Sequence, residues 1–129
     1  MALKDNLHVA VVDDTSVSRG LIVHALEAIG IQHIEIYRNG QEALDHLTKA
    51  PVHLVISDYN MPQLDGLGLL EALRKQEKTA RIGFVLITGR STPELIAQGR
   101  QLRMNNFLEK PVDAERMKSC IEAVVGRLS

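Results

Sequence analysis

The chain is predicted to fold as an α/β doubly wound parallel sheet of five strands and five helices, and three observations carry that prediction. Five apolar runs of strand length recur, each separated from the next by a stretch with helical periodicity. The first, third and fourth runs are continuously apolar rather than alternating, which suits central parallel strands covered by helices on both faces. Asp13, Asp14, Asp58, Thr88 and Lys110 all stand where runs end, at the carboxyl edge where open α/β sheets bind ligands.

The first strand is expected over residues 7–12. In the helix that follows, residues 16–29, Leu21, Ile22, Ala25, Leu26 and Ile29 share one face at three- and four-residue spacing, Thr15 or Ser16 can cap the start, and Gly30 can end it. A second strand over 31–37 leads to a helix from about 40 to 49, stopped by Pro51. A third strand, 52–57, precedes a helix over 66–76 with Leu67, Leu69, Leu70 and Leu73 as its apolar positions and Gly66 serving the turn into it. A fourth strand, 82–87, is followed by Ser91-Thr92-Pro93-Glu94, which opens a helix with a cap, a first-turn proline and an early acid. The fifth strand is placed at Asn106–Glu109. Asp113 starts the last helix, whose buried face includes Met117, Ile121, Val124 and Val125.

At 129 residues the chain is expected to be one domain over 1–129 without an output module. With 45% hydrophobic and only 3% aromatic residues, the core must be aliphatic. The single cysteine, Cys120, cannot form an internal disulfide and reads as a small buried hydrophobe, in keeping with a reducing cytoplasm. No segment has the length of a signal peptide's apolar core or a membrane span, and a net charge of -1 argues against bulk nucleic-acid binding. Acids outnumber bases over residues 1–89 and the reverse holds over 90–129; this is read as solvated surface charge.

If these runs are neighbouring parallel strands, three carboxylates, a hydroxyl and an ammonium converge on one edge. Three close carboxylates repel one another and need cations. Lys110 is one, and hard oxygen ligands favour Mg²⁺ as the other. Asp58 would then be free to act as a nucleophile toward phosphorus. Taken singly, each of these residues is as easily a helix cap or a surface charge. It is their placement on four strand exits that points to chemistry.

Asp13-Asp14, Asp58-Tyr59-Asn60-Met61-Pro62 with Asp65-Gly66, Thr88-Gly89 and Lys110-Pro111 resemble the receiver domain of bacterial two-component response regulators, of the stand-alone CheY-like type, over nearly the whole chain. The resemblance implies a flavodoxin-like sheet in the order 2-1-3-4-5. It implies that Asp58 accepts a phosphoryl group from a phosphohistidine on a sensor histidine kinase or histidine phosphotransfer protein. Asp14 would bind Mg²⁺ directly and Asp13 mainly through water, with Asp58 and the backbone carbonyl of Asn60 completing the protein ligands. Thr88 and Lys110 would contact phosphoryl oxygens, and the Lys110-Pro111 bond would be cis.

Switching in that family would couple Thr88 to Phe107, which stands where many relatives carry tyrosine, and change the surface of the fourth helix, fifth strand and fifth helix. Asn60 and Arg90 would flank the phosphate and tune its lifetime. The expected partners are the kinase and a downstream protein in chemotaxis, such as the flagellar motor switch, with neither nucleic acid nor membrane. The protein is expected to be a monomer that can dimerise on activation and to catalyse only its own phosphorylation and dephosphorylation.

Two alternatives share much of this equipment. One is a single-domain phosphorelay intermediate. The other is a Mg²⁺-dependent phosphatase of the haloacid-dehalogenase type, which Asn60 opposes, because that family needs an acid two residues after its nucleophile and an amide cannot protonate a leaving group. Gly66-Leu67-Gly68 lacks the remaining positions of a nucleotide loop. His8, His24, His33, His46 and His53 are scattered without paired ligand spacing, so no metal site is expected of them.

Overall fold

The computed structural model describes residues 2–129. The strands are β1 (His8–Val12), β2 (His33–Tyr37), β3 (Leu54–Asp58), β4 (Gly83–Thr88) and β5 (Asn106–Glu109). The helices are α1 (Ser16–Ala28), α2 (Gly40–Leu47), α3 (Gly66–Arg74), α4 (Pro93–Gln101) and α5 (Ala114–Val125), and a short 3₁₀ turn at Leu3–Asp5 precedes β1. All strand pairs are parallel and the sheet order is β2-β1-β3-β4-β5.

Successive residues of a strand point to opposite faces, and the three inner strands divide their side chains accordingly. Val9, Val11, Leu54, Ile56, Val85 and Ile87 form one core with Ile22, Ala25 and Leu26 of α1 and Met117, Cys120 and Ile121 of α5. Ala10, Val12, Val55, Phe84 and Leu86 form the other, with Ala43 and Leu47 of α2, Leu69, Leu70 and Leu73 of α3, and Leu95 of α4. Because both faces are covered, neither can be polar, which is why these runs are continuously apolar.

Helix ends follow local chemistry. The side chains of Asn39, Asp65, Thr92 and Asp113 accept the backbone N–H of Glu42, Gly68, Leu95 and Arg116 respectively, each a cap of about 1 kcal/mol. Helix α1 departs from the expectation: Thr15 is its N-cap residue but makes no side-chain cap bond, because its hydroxyl is committed to Asp13 at 3.2 Å. Gly30 lies just past the helix at φ +89°, where a side chain would be strained.

Leu21 was placed on the buried face of α1, yet it is 55% exposed, and Val17, one turn earlier, is 76% exposed. The helix meets the sheet through Ile22, Ala25 and Leu26, a narrower stripe than its apolar residues suggest. Gly20, also on α1, has nothing within 4 Å of where its Cβ would stand. Gly20→Ala should therefore stabilise the protein by about 0.5–1 kcal/mol through helix propensity, read as a higher urea midpoint with an unchanged slope.

Cys120 is buried and its Sγ donates to the Phe107 carbonyl at 3.7 Å. Burial pushes its thiol up to about 11, so little thiolate exists near neutrality. Native protein at pH 8 should react with iodoacetamide far more slowly than the urea-unfolded chain, as mass spectrometry of quenched time points would show. Equal rates would contradict the burial.

Candidate functional site

Four strand exits bring the chemistry together, and the backbone ladder continues just past the strands to hold it. Asp13 N–H donates to the Tyr37 carbonyl at 3.1 Å, Tyr59 N–H to the Ile87 carbonyl at 2.8 Å, and Lys110 N–H to the Thr88 carbonyl at 2.8 Å. Asp58 and Thr88 are themselves the last residues of β3 and β4, one residue further than the apolar runs alone suggested. Their backbones are fixed by sheet pairing, Asp58 opposite Ile87 and Thr88 opposite Glu109.

Asp13, Asp14 and Asp58 offer carboxylate oxygens that all lie within 4.8 Å of one another. Asp13 and Asp58 are buried and Asp14 is exposed. Lys110 Nζ stands 3.2 Å from Asp58 Oδ1. Burial, and then the charge of Asp13, raise the Asp58 carboxyl above its ordinary range, while Lys110 pulls in the opposite direction. Asp13 is locked in place: Oδ1 accepts the Thr15 N–H at 3.0 Å and the Thr15 hydroxyl, and its carbonyl accepts from Arg19 Nη1 at 3.0 Å. Its Oδ2 is buried without a hydrogen-bond partner among the described residues.

A buried, unpartnered carboxylate oxygen facing two more carboxylates is what a cation would satisfy, and the all-oxygen donor set fits Mg²⁺ rather than a softer metal. Asn60, two residues beyond Asp58, is exposed in the β3–α3 loop, and Arg90 is exposed in the β4–α4 loop. The Lys110-Pro111 peptide is cis.

The Thr88 hydroxyl makes its hydrogen bonds to Arg90 rather than to Asp58. It donates to the Arg90 carbonyl at 3.1 Å and accepts the Arg90 N–H at 3.3 Å, closing a small turn on its own loop. The next residue, Ser91, donates its N–H to Glu109 Oε2 at 3.0 Å and its hydroxyl to the same oxygen, tying the β4–α4 loop to the end of β5. These two bonds hold the Glu109 carboxyl below its ordinary range. Phe107 is half-buried and packs against the core on the α2, α3 and α4 face.

The sequence reading missed three contributors. Thr15 and Arg19 fix Asp13, and the buried Ser57 hydroxyl donates to the Asp58 carbonyl at 3.0 Å. Only Thr15 had a local signal, a hydroxyl two residues after an aspartate, the spacing of a side-chain turn. Gly66 opens α3 directly after the turn it was expected to serve, and it does so without a positive φ. Its role is close packing: a Cβ there would lie 2.6 Å from the Asp58 carbonyl oxygen.

A doubly wound sheet in this order, with paired acids, an aspartate and a lysine at the carboxyl edge, defines the response regulator receiver class, and the receiver-domain family model matches residues 9–122. The chain belongs to that family. Its relatives include a probable chemotaxis protein CheY of Rhizobium etli, 39% identical over 99% of both chains. A crystallised Vibrio cholerae chemotaxis protein, CheY4, superposes with a TM-score of 0.85 at 28% identity, covering 92% of this chain and 98% of that one. The receiver domain of the Arabidopsis thaliana histidine kinase CKI1, solved with Mg²⁺ and BeF₃⁻, gives a TM-score of 0.79 at 26% identity over 89% of each chain. The protein is thus a CheY-like receiver, a class that works in phosphorylation-dependent signalling rather than in metabolic turnover. Among the described residues no helix is long and apolar enough to cross a membrane.

Proposed function

We propose that the protein is a phosphorylation-activated switch whose acceptor is Asp58 and whose donor is a phosphohistidine on a sensor kinase or phosphotransfer protein. The observation that carries this reading is the buried Asp58 carboxylate paired with Lys110 at 3.2 Å inside a cluster of two further acids. A carboxylate oxygen of Asp58 attacks phosphorus, the donor's phosphorus–nitrogen bond breaks, and the departing imidazole takes a proton from solvent. Lys110 opposes the rise that burial and Asp13 impose on the Asp58 carboxyl and then pairs with a phosphoryl oxygen. Asp13, Asp14, Asp58 and the Asn60 carbonyl would hold Mg²⁺, which when bound neutralises charge on the phosphoryl oxygens and the carboxylates.

The acyl phosphate adds up to about two negative charges beside Lys110. Thr88 answers by giving up its turn with Arg90 and donating to a phosphoryl oxygen. Phe107 repacks into the space it leaves, and the α4-β5-α5 surface changes shape for a downstream partner. Asn60 and Arg90, both exposed on the loops that follow β3 and β4, set how readily water attacks the phosphate. Likeness across the full length of a chemotaxis protein supports a cytoplasmic role in chemotaxis, with the flagellar motor switch as the partner, over an intermediate position in a phosphorelay.

Incubated with Mg²⁺ and acetyl phosphate, the wild type should gain one phosphoryl mass on the peptide containing Asp58, and Asp58→Asn should gain none. Equal labelling of both proteins would remove the proposal. Transfer of the label onward to a histidine protein, with no change in affinity for a motor-switch component, would favour the relay.

A further inference from the structure

At the opposite end of the sheet from the acidic site, three of the five histidines that are scattered along the sequence come together. The order β2-β1-β3 sets His33, His8 and His53 side by side at the amino-terminal rim. His8 and His33 are direct register partners on neighbouring strands, so their side chains leave the same face. Their rings stack with centroids 4.4 Å apart and planes 10° from parallel. The His53 ring lies 5.5 Å from that of His8, tilted by 60°.

The three imidazoles do different jobs. His53 Nδ1 accepts the His8 backbone N–H at 3.0 Å, and His53 N–H donates to the His8 carbonyl at 3.1 Å. His53 thereby completes the rim of β1 and fixes the backbone from which the His8 side chain projects. The rings of His8 and His33 have no hydrogen-bond partner among the described residues, and both residues are exposed. Two imidazoles without hydrogen-bond partners on adjacent, rigid strands can serve as a bidentate chelate once their rings tilt toward a shared ion.

We propose that His8 and His33 bind a divalent late transition ion, with Zn²⁺ as the representative, and that His53 acts as a positioning residue. Imidazole is a strong ligand for such ions and a poor one for Mg²⁺, so the rim and the acidic edge select different metals. Zn–N bonds of about 2.0–2.1 Å in tetrahedral geometry place two ligand nitrogens roughly 3.3 Å apart. Stacked rings at 4.4 Å meet this by tilting toward each other, a side-chain adjustment that leaves the sheet untouched. Water fills the remaining positions. The second ligand acts through its high effective concentration, so removing either imidazole should weaken binding by about tenfold or more.

The test is a Zn²⁺ titration of the full chain in saturating Mg²⁺, followed by NMR of the five histidine side chains. The expected result is a saturable shift of the His8 and His33 ring signals, with those of His24 and His46 unmoved. His33→Gln and His8→Gln should each weaken it about tenfold or more. His53→Gln should keep a saturable shift with an altered midpoint. Absence of a rim shift up to millimolar Zn²⁺, an unchanged midpoint in His8→Gln/His33→Gln, or Zn²⁺ perturbation confined to residues around Asp58 would each overturn the proposal. Backbone spectra of every variant, unchanged away from the rim, establish that loss of binding is not loss of fold.

Discussion

Asp13→Asn is expected to make the metal-free protein more stable while removing most of its response to Mg²⁺. Asp13 is fully buried, its Oδ2 has no partner among the described residues, and its charge is the second cause, after burial, that raises the Asp58 carboxyl. Asparagine keeps an oxygen for the Thr15 N–H and hydroxyl that now fix Asp13 Oδ1 and deletes only the repelling charge. Relief of that repulsion should amount to about 1–2 kcal/mol in urea denaturation without metal. Mg²⁺ should raise the wild-type melting temperature by mass action and leave the variant nearly unmoved.

The same geometry sets a pH dependence. A carboxyl with a raised folded-state pKa binds its proton more tightly when folded, so metal-free stability falls as pH rises from the unfolded carboxylate range through the raised value of Asp58. Asp13→Asn should flatten that slope. A variant less stable than wild type without metal would refute the repulsion account, whatever its Mg²⁺ response.

Gly66→Ala is expected to be the most damaging single-methyl change near the site. Gly66 N–H donates to the Tyr59 carbonyl at 2.9 Å, which seats the start of α3 against the end of β3. An added Cβ would stand 2.6 Å from the Asp58 carbonyl oxygen, 2.6 Å from Leu86 Cδ1 and 3.0 Å from Tyr59 Cα. Two of these three are backbone atoms of the segment that presents Asp58, so the helix or the strand exit must move. Overpacking of this kind costs about 1–3 kcal/mol, and the upper half of that range is expected because rotamer changes cannot relieve a backbone contact.

Phosphorylation by acetyl phosphate should slow as well, since the proposed acceptor, Asp58, is displaced. Gly68→Ala is the control. Its nearest neighbour would be Leu64 Cδ1 at 2.7 Å, the far end of a flexible side chain, and helix propensity partly offsets the contact. If the two variants lose the same stability, the close approach at Gly66 is not what that position is for.

Much of this was legible before any coordinates. The continuous apolar character of the runs 7–12, 52–57 and 82–87 marked central strands, since a strand covered on both faces has no polar side to show. Thr92 and Asp113 announced helix starts because a cap is satisfied within three residues, whereas the caps at Asn39 and Asp65 emerged only from the structure. Leu21 was misplaced because periodicity reports which residues could be buried, while the width of the contact depends on how α1 lies on the sheet. Thr88 was expected to face the phosphate, and its bonds to Arg90 belong to a loop geometry that no spacing encodes.

By itself the sequence determined the fold class and the succession of elements, because each of these is written in neighbours within one turn of helix or one strand, and it named the candidate site residues through their common place at strand ends and the motifs they share with receiver domains. Only the tertiary structure decided that Lys110 reaches Asp58, that Thr15 and Arg19 hold Asp13, that Gly66 is needed for closeness rather than conformation, and that His8, His33 and His53 meet. Those outcomes depend on strand order and register. Both are set by burying two apolar faces at once, a property of the whole sheet that no local stretch of residues contains.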